Sequence, residues 1–357
     1  MKKLLIFLVF SFIFADWTIQ NSSVSVTLYS LSFPTDTMLG YACGENGTII
    51  KTTNSGQNWS RLSVSLSENL YSIFFVNETI GYACGRNGKV IKTTNGGENW
   101  QNLVTEITEN LYQLHFISPD TGFIAGDNGM VLRTYDGGQT FDYLSVSPIN
   151  PFDLRGISVV ANGRIVYAVG LSGSIFKTTD YGNNWVQLNS QTRANLFKVI
   201  FLNPNIGYVC SESGYVLKTT DGNNFTRLNV ASPQPLYGIH FISSQVGYVC
   251  GGNGLVYKTT NGGENWEREY TGVGENLYYI FFKTEDIGWA CGRNGLIIKR
   301  YLPSAITENK NEKTILKIKN NNLFLSTGQI IRNNNKLNKG IYFIKNNKKF
   351  KKIIKLN

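Results

Sequence analysis

The chain has 357 residues, 42% hydrophobic and 16% charged, a composition that excludes a disordered polymer and leaves room for one large domain or two ordinary ones. Its net charge of +10 does not argue for nucleic acid, because the excess is local. Beyond Pro303 stand twelve Lys and one Arg against two Glu, Lys2 and Lys3 add two more positive charges, and residues 16–302 are left at −3.

Taken in chain order, the first element is a leader over residues 1–15. Lys2 and Lys3 form a basic start, Leu4 to Phe14 is an apolar run broken only by Ser11, and Ala15 is a small residue suited to cleavage. That pattern predicts export to the periplasm, the cell surface or the medium. The run is too short to span a bilayer, and no other segment reaches transmembrane length, so the mature protein is expected to carry no membrane span.

From residue 16 onward the sequence repeats itself. "ACGENGTIIKTTNSGQNW" (42–59), "ACGRNGKVIKTTNGGENW" (83–100) and "VCGGNGLVYKTTNGGENW" (249–266) are near copies. Aligned on the turn glycine, seven units appear at Gly47, Gly88, Gly129, Gly173, Gly214, Gly254 and Gly295, spaced by 41, 41, 44, 41, 40 and 41 residues. Each holds short β-branched and aromatic runs separated by Gly and Asn turns, which predicts a four-stranded antiparallel meander. Meanders of this length, repeated seven times, predict an all-β fold: a seven-bladed β-propeller over residues 16–302.

A propeller must close. The aromatic that opens the fourth strand is Trp59, Trp100, Phe141, Trp185, Phe225 and Trp266, and the seventh unit has none. Trp17 stands 30 residues before Gly47, as Trp59 stands 29 before Gly88. The N-terminal strand is therefore expected to complete the last blade.

With these motifs in view, the repeating "GYACG…KTTNGGENW" unit resembles that of the photosystem II assembly and stability factor family of seven-bladed propellers. It is also similar to the Asp-box (BNR) repeat of bacterial neuraminidases. The resemblance covers residues 17–302 and implies a non-enzymatic scaffold that binds a protein or cell-envelope partner. In sialidases the Asp-box turn is structural and lies opposite the active site, which implies that these turns are architecture here.

Several repeated positions admit a plain reading. Cys43, Cys84, Cys210, Cys250 and Cys291 share one second-strand position with Ala125 and Val169, which predicts small buried sites, too far apart for disulfides. Asn54, Asn95, Asp136, Asp180, Asp221 and Asn261 are expected to bond the backbone of their own turns. A basic residue precedes each Thr-Thr pair or its counterpart (Lys51, Lys92, Arg133, Lys177, Lys218, Lys258, Lys299); its stem should cover an aromatic while its head reaches water. His115 and His240, on inner strands and without clustered carboxylates, predict no metal site.

Positions that break the repeat carry the candidate function. Two residues before each anchoring glycine stand Glu45, Arg86, Asp127, Leu171, Glu212, Gly252 and Arg293, on the face opposite the Asp-box turns. Around the closed ring the order Arg293, Glu45, Arg86, Asp127 alternates in sign. The four could pair as exposed salt bridges, or form with Arg155 and Arg193 a partner-binding rim.

Residues 303–313 read as a polar linker and 314–357 as a basic β tail with turns at Thr327-Gly328, Asn333 to Asn335 and Asn346-Asn347. Thr327, Gly328, Gly340, Ile341, Tyr342, Phe343 and Lys355 resemble the end of a Bacteroidetes-type secretion sorting domain. The expectation is thus an exported monomeric propeller that uses no cofactor, metal or nucleic acid and binds a protein or envelope partner, a glycan being among the candidates. The alternative from another class is a sialidase-type or other glycoside hydrolase, or a glycan-binding protein; such an enzyme would need a carboxylate pair about 5–9.5 Å apart at the rim centre. No convergent catalytic set is visible.

Overall fold

The computed structural model describes residues 17–147 and 152–301 and, in the tail, backbone segments 317–319, 322–324, 341–346 and 349–354. The leader expected at 1–15 lies outside the described residues. Two units divide at residue 302. The first is a seven-bladed β-propeller.

Blade one comprises Leu28–Ser32, Gly40–Gly44, Ile49–Thr52 and Ser60–Arg61, and each later blade repeats this antiparallel order. The inner strands are Leu28–Ser32, Leu70–Phe75, Leu111–Phe116, Leu154–Val160, Leu196–Phe201, Leu236–Phe241 and Leu277–Thr284. Blade seven takes its outer strand from the other end of the chain, as the spacing of Trp17 predicts: Trp17–Gln20 pairs antiparallel with Ile297–Arg300 in a sheet ordered Trp17–Gln20, Ile297–Tyr301, Ile287–Gly292, Leu277–Thr284.

The hydrophobic core sits in the wedges between blades. One wedge joins Tyr41, Cys43 and Ile49 of blade one to Leu70, Ile73 and Phe75 of blade two, and six comparable clusters complete the ring. Its repeating contact explains the "GY" dipeptide that opens most second strands. Phe75 lies against Gly81 of its own blade, where an added Cβ would come 2.6 Å from the ring. The ring is then free to stack on Tyr41 of the preceding blade, with centroids 3.6 Å apart. Tyr82–Phe116, Tyr167–Phe201, Tyr208–Phe241 and Tyr248–Phe282 repeat the stack at 3.4–3.7 Å. At the junction of the chain ends Trp289 takes the tyrosine's place and stacks on Phe33 at 3.9 Å.

All five cysteines are buried and free. Burial pushes their thiols up, so they serve as small apolar filling for the wedges.

The Asp-box turns are architecture as expected. In blade two the Asn95 side chain accepts from the Asn99 amide at 3.0 Å and from the Thr93 hydroxyl at 3.0 Å, while Thr93 Oγ1 accepts from the Gly97 amide at 2.9 Å. Where the residue is aspartate the same bonds favour the charged form, and Asp136 and Asp180 are held down at about 2.

The snorkelling expectation for the basic ring requires correction. The six lysines do cover the cross-strand aromatic, as Lys51 covers Tyr41 with Nζ 5.5 Å from the ring centroid, while Arg133 lies over Tyr135 two residues along its own chain. Most heads, however, bond the next blade rather than water: Lys51 donates to Gly96 O, Lys92 to Gly137 O, Lys177 to Gly222 O and Lys218 to Gly262 O, at 2.8–3.1 Å. Lys299 reaches Ser55 O at 2.8 Å across the junction. These turn carbonyls are half-buried acceptors, and satisfying them latches blade to blade.

In the tail unit, Lys317–Lys319 pairs with Asn322–Phe324 and Ile341–Asn346 with Lys349–Ile354, both antiparallel. The turns expected at Thr327-Gly328 and Asn333 to Asn335 lie outside the described residues, as do Gly340 and Lys355.

Candidate functional site at the rim face

The turn between second and third strands is built to display its first residue. In blade one Asn46 and Gly47 both have positive φ, 54° and 61°, the pair of left-handed centres that an Asn-Gly hairpin turn demands. The preceding Glu45 therefore stands at the corner, on the face opposite the Asp-box turns. Six of the seven corners share this pair, and in blade five only Gly214 has positive φ; together the corners surround the mouth of the central channel that a propeller encloses.

The acidic corners are tied to their own blades. Glu45 accepts from the Thr27 amide at 3.0 Å and the Tyr29 hydroxyl at 3.2 Å, and the Thr27 bond is the main reason its carboxyl lies below the usual range. Asp127 accepts from the Asn110 amide and side chain at 3.2 and 2.8 Å. Glu212 does the same with Asn195 at 3.0 and 2.7 Å. Each carboxylate thus pins the connection that enters its inner strand.

The basic corners are left over. Arg86 and Arg293 are exposed, and so is Arg193 on the connection into blade five. Among the described residues none of the three is in an ion pair. The alternating salt-bridge ladder open to the four neighbours Arg293, Glu45, Arg86 and Asp127 is therefore absent; Arg293 acts on Glu45 only through its field. Local backbone amides outcompete it, being fixed in place and free of the entropy that two long exposed side chains would lose.

Arg155 has a different setting from the other arginines. It bonds Asp153 at 3.2 Å and lies over the Tyr112 ring at 3.7 Å. Tyr112 belongs to a collar of aromatic side chains that sequence reading missed. Every inner strand shifts register between its first and third residues, and the second residue stands on this bulge. The seven are Tyr29, Tyr71, Tyr112, Arg155, Phe197, Tyr237 and Tyr278.

Six of the seven consecutive pairs touch, Arg155 meeting Tyr112 and the other five being ring pairs. Centroids are 5.4 Å apart for Tyr29–Tyr71, 5.2 Å for Tyr71–Tyr112, 5.4 Å for Phe197–Tyr237, 5.3 Å for Tyr237–Tyr278 and 5.7 Å for Tyr278–Tyr29. Each contact joins neighbouring blades. The signal was present in the repeat as the second letter of "LY", but an alternating pattern does not reveal a bulge.

Outside the collar, a groove of about 850 Å³ follows the junction of blades seven and one, lined by Gln20 to Val26 together with Arg61, Glu275 and Arg293. The face thus combines unpaired arginines, an aromatic mouth and a groove of mixed polar and apolar lining. The two histidines stand further along their inner strands. His115 stacks on Phe74 at 5.6 Å and His240 packs on Phe281 at 5.0 Å, burial lowers both to about 4, and among the described residues no group of three or more possible ligands could hold a metal.

Comparison with known proteins gives a consistent result. The family model described as photosynthesis system II assembly factor YCF48 matches residues 12–94, 93–189, 143–220 and 223–301. Among solved structures, the chain is similar to one described as YCF48 bound to D1 peptide, at 19% identity and a TM-score of 0.68, covering 81% of this chain and 98% of that one. YCF48 from Cyanidioschyzon merolae is similar at 16% identity and a TM-score of 0.68, covering 81% and 99%. The WD40 beta propeller domain of Doa1 follows at 11% identity and 0.65, covering 80% and 97%. These identities carry the fold alone. No curated protein matches the chain.

Proposed function

The chain belongs to the photosynthesis system II assembly factor YCF48 family, and on that premise we propose that it is an exported, non-enzymatic scaffold whose rim face binds an acidic segment of a protein partner. The observation that carries this reading is the set of exposed arginines without ion pairs, Arg86, Arg193 and Arg293, beside an aromatic mouth. Unneutralised guanidinium groups on corners held by hairpin turns are ready to meet carboxylates without rearrangement. One similar structure holds a peptide, described as D1 peptide, which supports a peptide as the class of partner.

The non-enzymatic part of the reading is supported by the carboxylates of this face. Glu45, Asp127 and Glu212 are spent on backbone amides of their own blades, and a hydrolytic pair needs two carboxyl groups aimed at one bond. The export part rests on the leader, and an envelope setting for the partner follows from it.

The test compares wild type with Arg86→Glu/Arg293→Glu by fluorescence anisotropy, using labelled acidic peptides, D1 peptide among them. Exposed turns tolerate such changes within about 0.5 kcal/mol of stability, so the variant should melt like wild type. Affinity is expected to fall at least about tenfold at low salt, because lost attraction and added repulsion both act on encounter. Equal affinity with the fold intact would remove the arginines from the site.

A further inference from the structure

One group in the channel has no role in the rim reading. Lys198 is the third residue of the inner strand of blade five and is only 9% exposed. Buried ammonium groups are almost always paired. Here the ammonium lies over the ring of Tyr279 of blade seven, with Nζ 5.4 Å from its centroid. No ion pair involves Lys198 among the described residues, and none of the seven inner strands carries Asp or Glu.

The charge sits well inside the ring. Its field acts on the Cys43 and Cys84 thiols of blades one and two, across the propeller from blade five, as well as on Cys210, Cys250 and Cys291. Burial pushes the ammonium below the ordinary lysine range.

The third residues of the other inner strands are Ser30, Ser72, Gln113, Gly156, Gly238 and Tyr279. Oxygens of the first three accept from amides of the next blade: Ile73 at 3.3 Å, Leu114 at 3.4 Å and Ile157 at 3.2 Å. Their acceptors are engaged between blades, and the Tyr279 hydroxyl, pushed up to about 12 by burial, stays a neutral donor. The layer therefore offers a cation and donors beneath an aromatic collar.

We propose that the central channel is a binding site for a single carboxylate carried on an apolar or aromatic body, which enters through the collar of Tyr29, Tyr71, Tyr112, Phe197, Tyr237 and Tyr278 and pairs with the Lys198 ammonium. One lysine matches one negative charge; Arg155 at the collar already has Asp153, so a dianionic phosphate would find its second charge unmet. Aromatic faces accept an apolar body of the guest in preference to water. A carboxylate of this kind is offered by a free small acid or by the C-terminus of a peptide. The site is independent of the rim arginines.

Calorimetry distinguishes the possibilities with four probes: N-acetylphenylalanine, its amide, and an octapeptide ending in phenylalanine with a free or amidated C-terminus. The proteins are wild type, Lys198→Met, Lys198→Gln and Arg86→Glu/Arg293→Glu. Removing a lone buried charge should leave melting unchanged or raise it, and the glutamine variant stands in if the methionine one fails to fold.

Wild type is expected to bind at least one free carboxylate at least tenfold more tightly than its amide. Either Lys198 variant should abolish that preference, and the arginine variant should keep it. Preference for the small acid assigns the site to a free metabolite-sized carboxylate, and preference for the peptide assigns it to a chain terminus. Acid and amide binding alike, binding of neither, or a preference that survives loss of Lys198 would each overturn the proposal.

Discussion

A chain lacking Trp17–Gln20 is expected to lose the whole propeller rather than one strand of it. Trp17 is 3% exposed, meets Phe282 edge-on at 5.6 Å and donates through Nε1 to Glu269 of blade six at 2.9 Å. Glu269 in turn bonds Arg300 of blade seven at 3.0 Å, with Arg300 only 4% exposed. The closing strand thus joins two blades through one buried group of charges. Truncation would expose the pairing edge of Ile297–Tyr301 to water and to other chains.

Trp17→Ala alone should cost about 3–5 kcal/mol from lost packing and the cavity left behind, a large share of the 5–15 kcal/mol or so that holds a typical protein folded. Trp17→Phe keeps a ring but withdraws the bond to Glu269, and should cost about 1–3 kcal/mol. Urea unfolding followed by fluorescence gives the order deletion, alanine, phenylalanine, wild type in rising midpoint. A deletion variant with wild-type midpoint would show that the ring closes without its N-terminal strand.

Acid should weaken the fold through His115 and His240. Both are neutral in the folded protein, with burial lowering them to about 4, against about 6.5 in an unfolded chain. Between those values the unfolded state binds more protons than the folded one. Stability is therefore complete above about pH 6.5 and declines as pH falls toward 4. Both histidines remain partly exposed, which softens the effect, so about 1–2 kcal/mol per histidine is a fair magnitude.

No inner-strand carboxylate compensates an imidazolium there. The Asp-box carboxylates Asp136 and Asp180, held at about 2, give up their contribution lower, as pH falls from about 4 toward 2. His115→Phe/His240→Phe copies the residue that blades two and seven already place at this position, Phe74 and Phe281. The variant should lose clearly less stability than wild type between pH 7 and 4.5. Parallel curves for the two proteins would place the acid sensitivity elsewhere.

What could be read without coordinates follows from where the information lies. Closure was legible because Trp17 stands at the repeat's own spacing, so one residue named both the strand and its partner blade. Rim positions were legible because the Asn-Gly turn fixes which residue takes the corner. Pairing at the rim was not, since the Thr27 and Asn110 amides that claim Glu45 and Asp127 come from connections with no fixed pattern.

The lysine ring shows the same limit. Covering of Tyr41 by Lys51 is a cross-strand relation inside one blade and follows from register. Its bond to Gly96 depends on the angle between blades, which no local pattern encodes. The collar was hidden by the bulge between Leu28 and Ser30 and its copies, and Lys198 by its solitude: in an alternating strand a single lysine reads as a surface residue.

Hydrogen exchange with and without a bound peptide tests the central claim most directly, because it reports which face of the propeller the partner covers. With an acidic peptide at saturation, protection should concentrate at the corners around Glu45, Arg86 and Arg293, at Ser22 to Val26 in the junction groove and at the first residues of the inner strands. The Asp-box turns around Gly56, Gly97 and Gly138 should exchange unchanged. Protection confined to those turns, or to the outer strands, would contradict a binding site on the rim face.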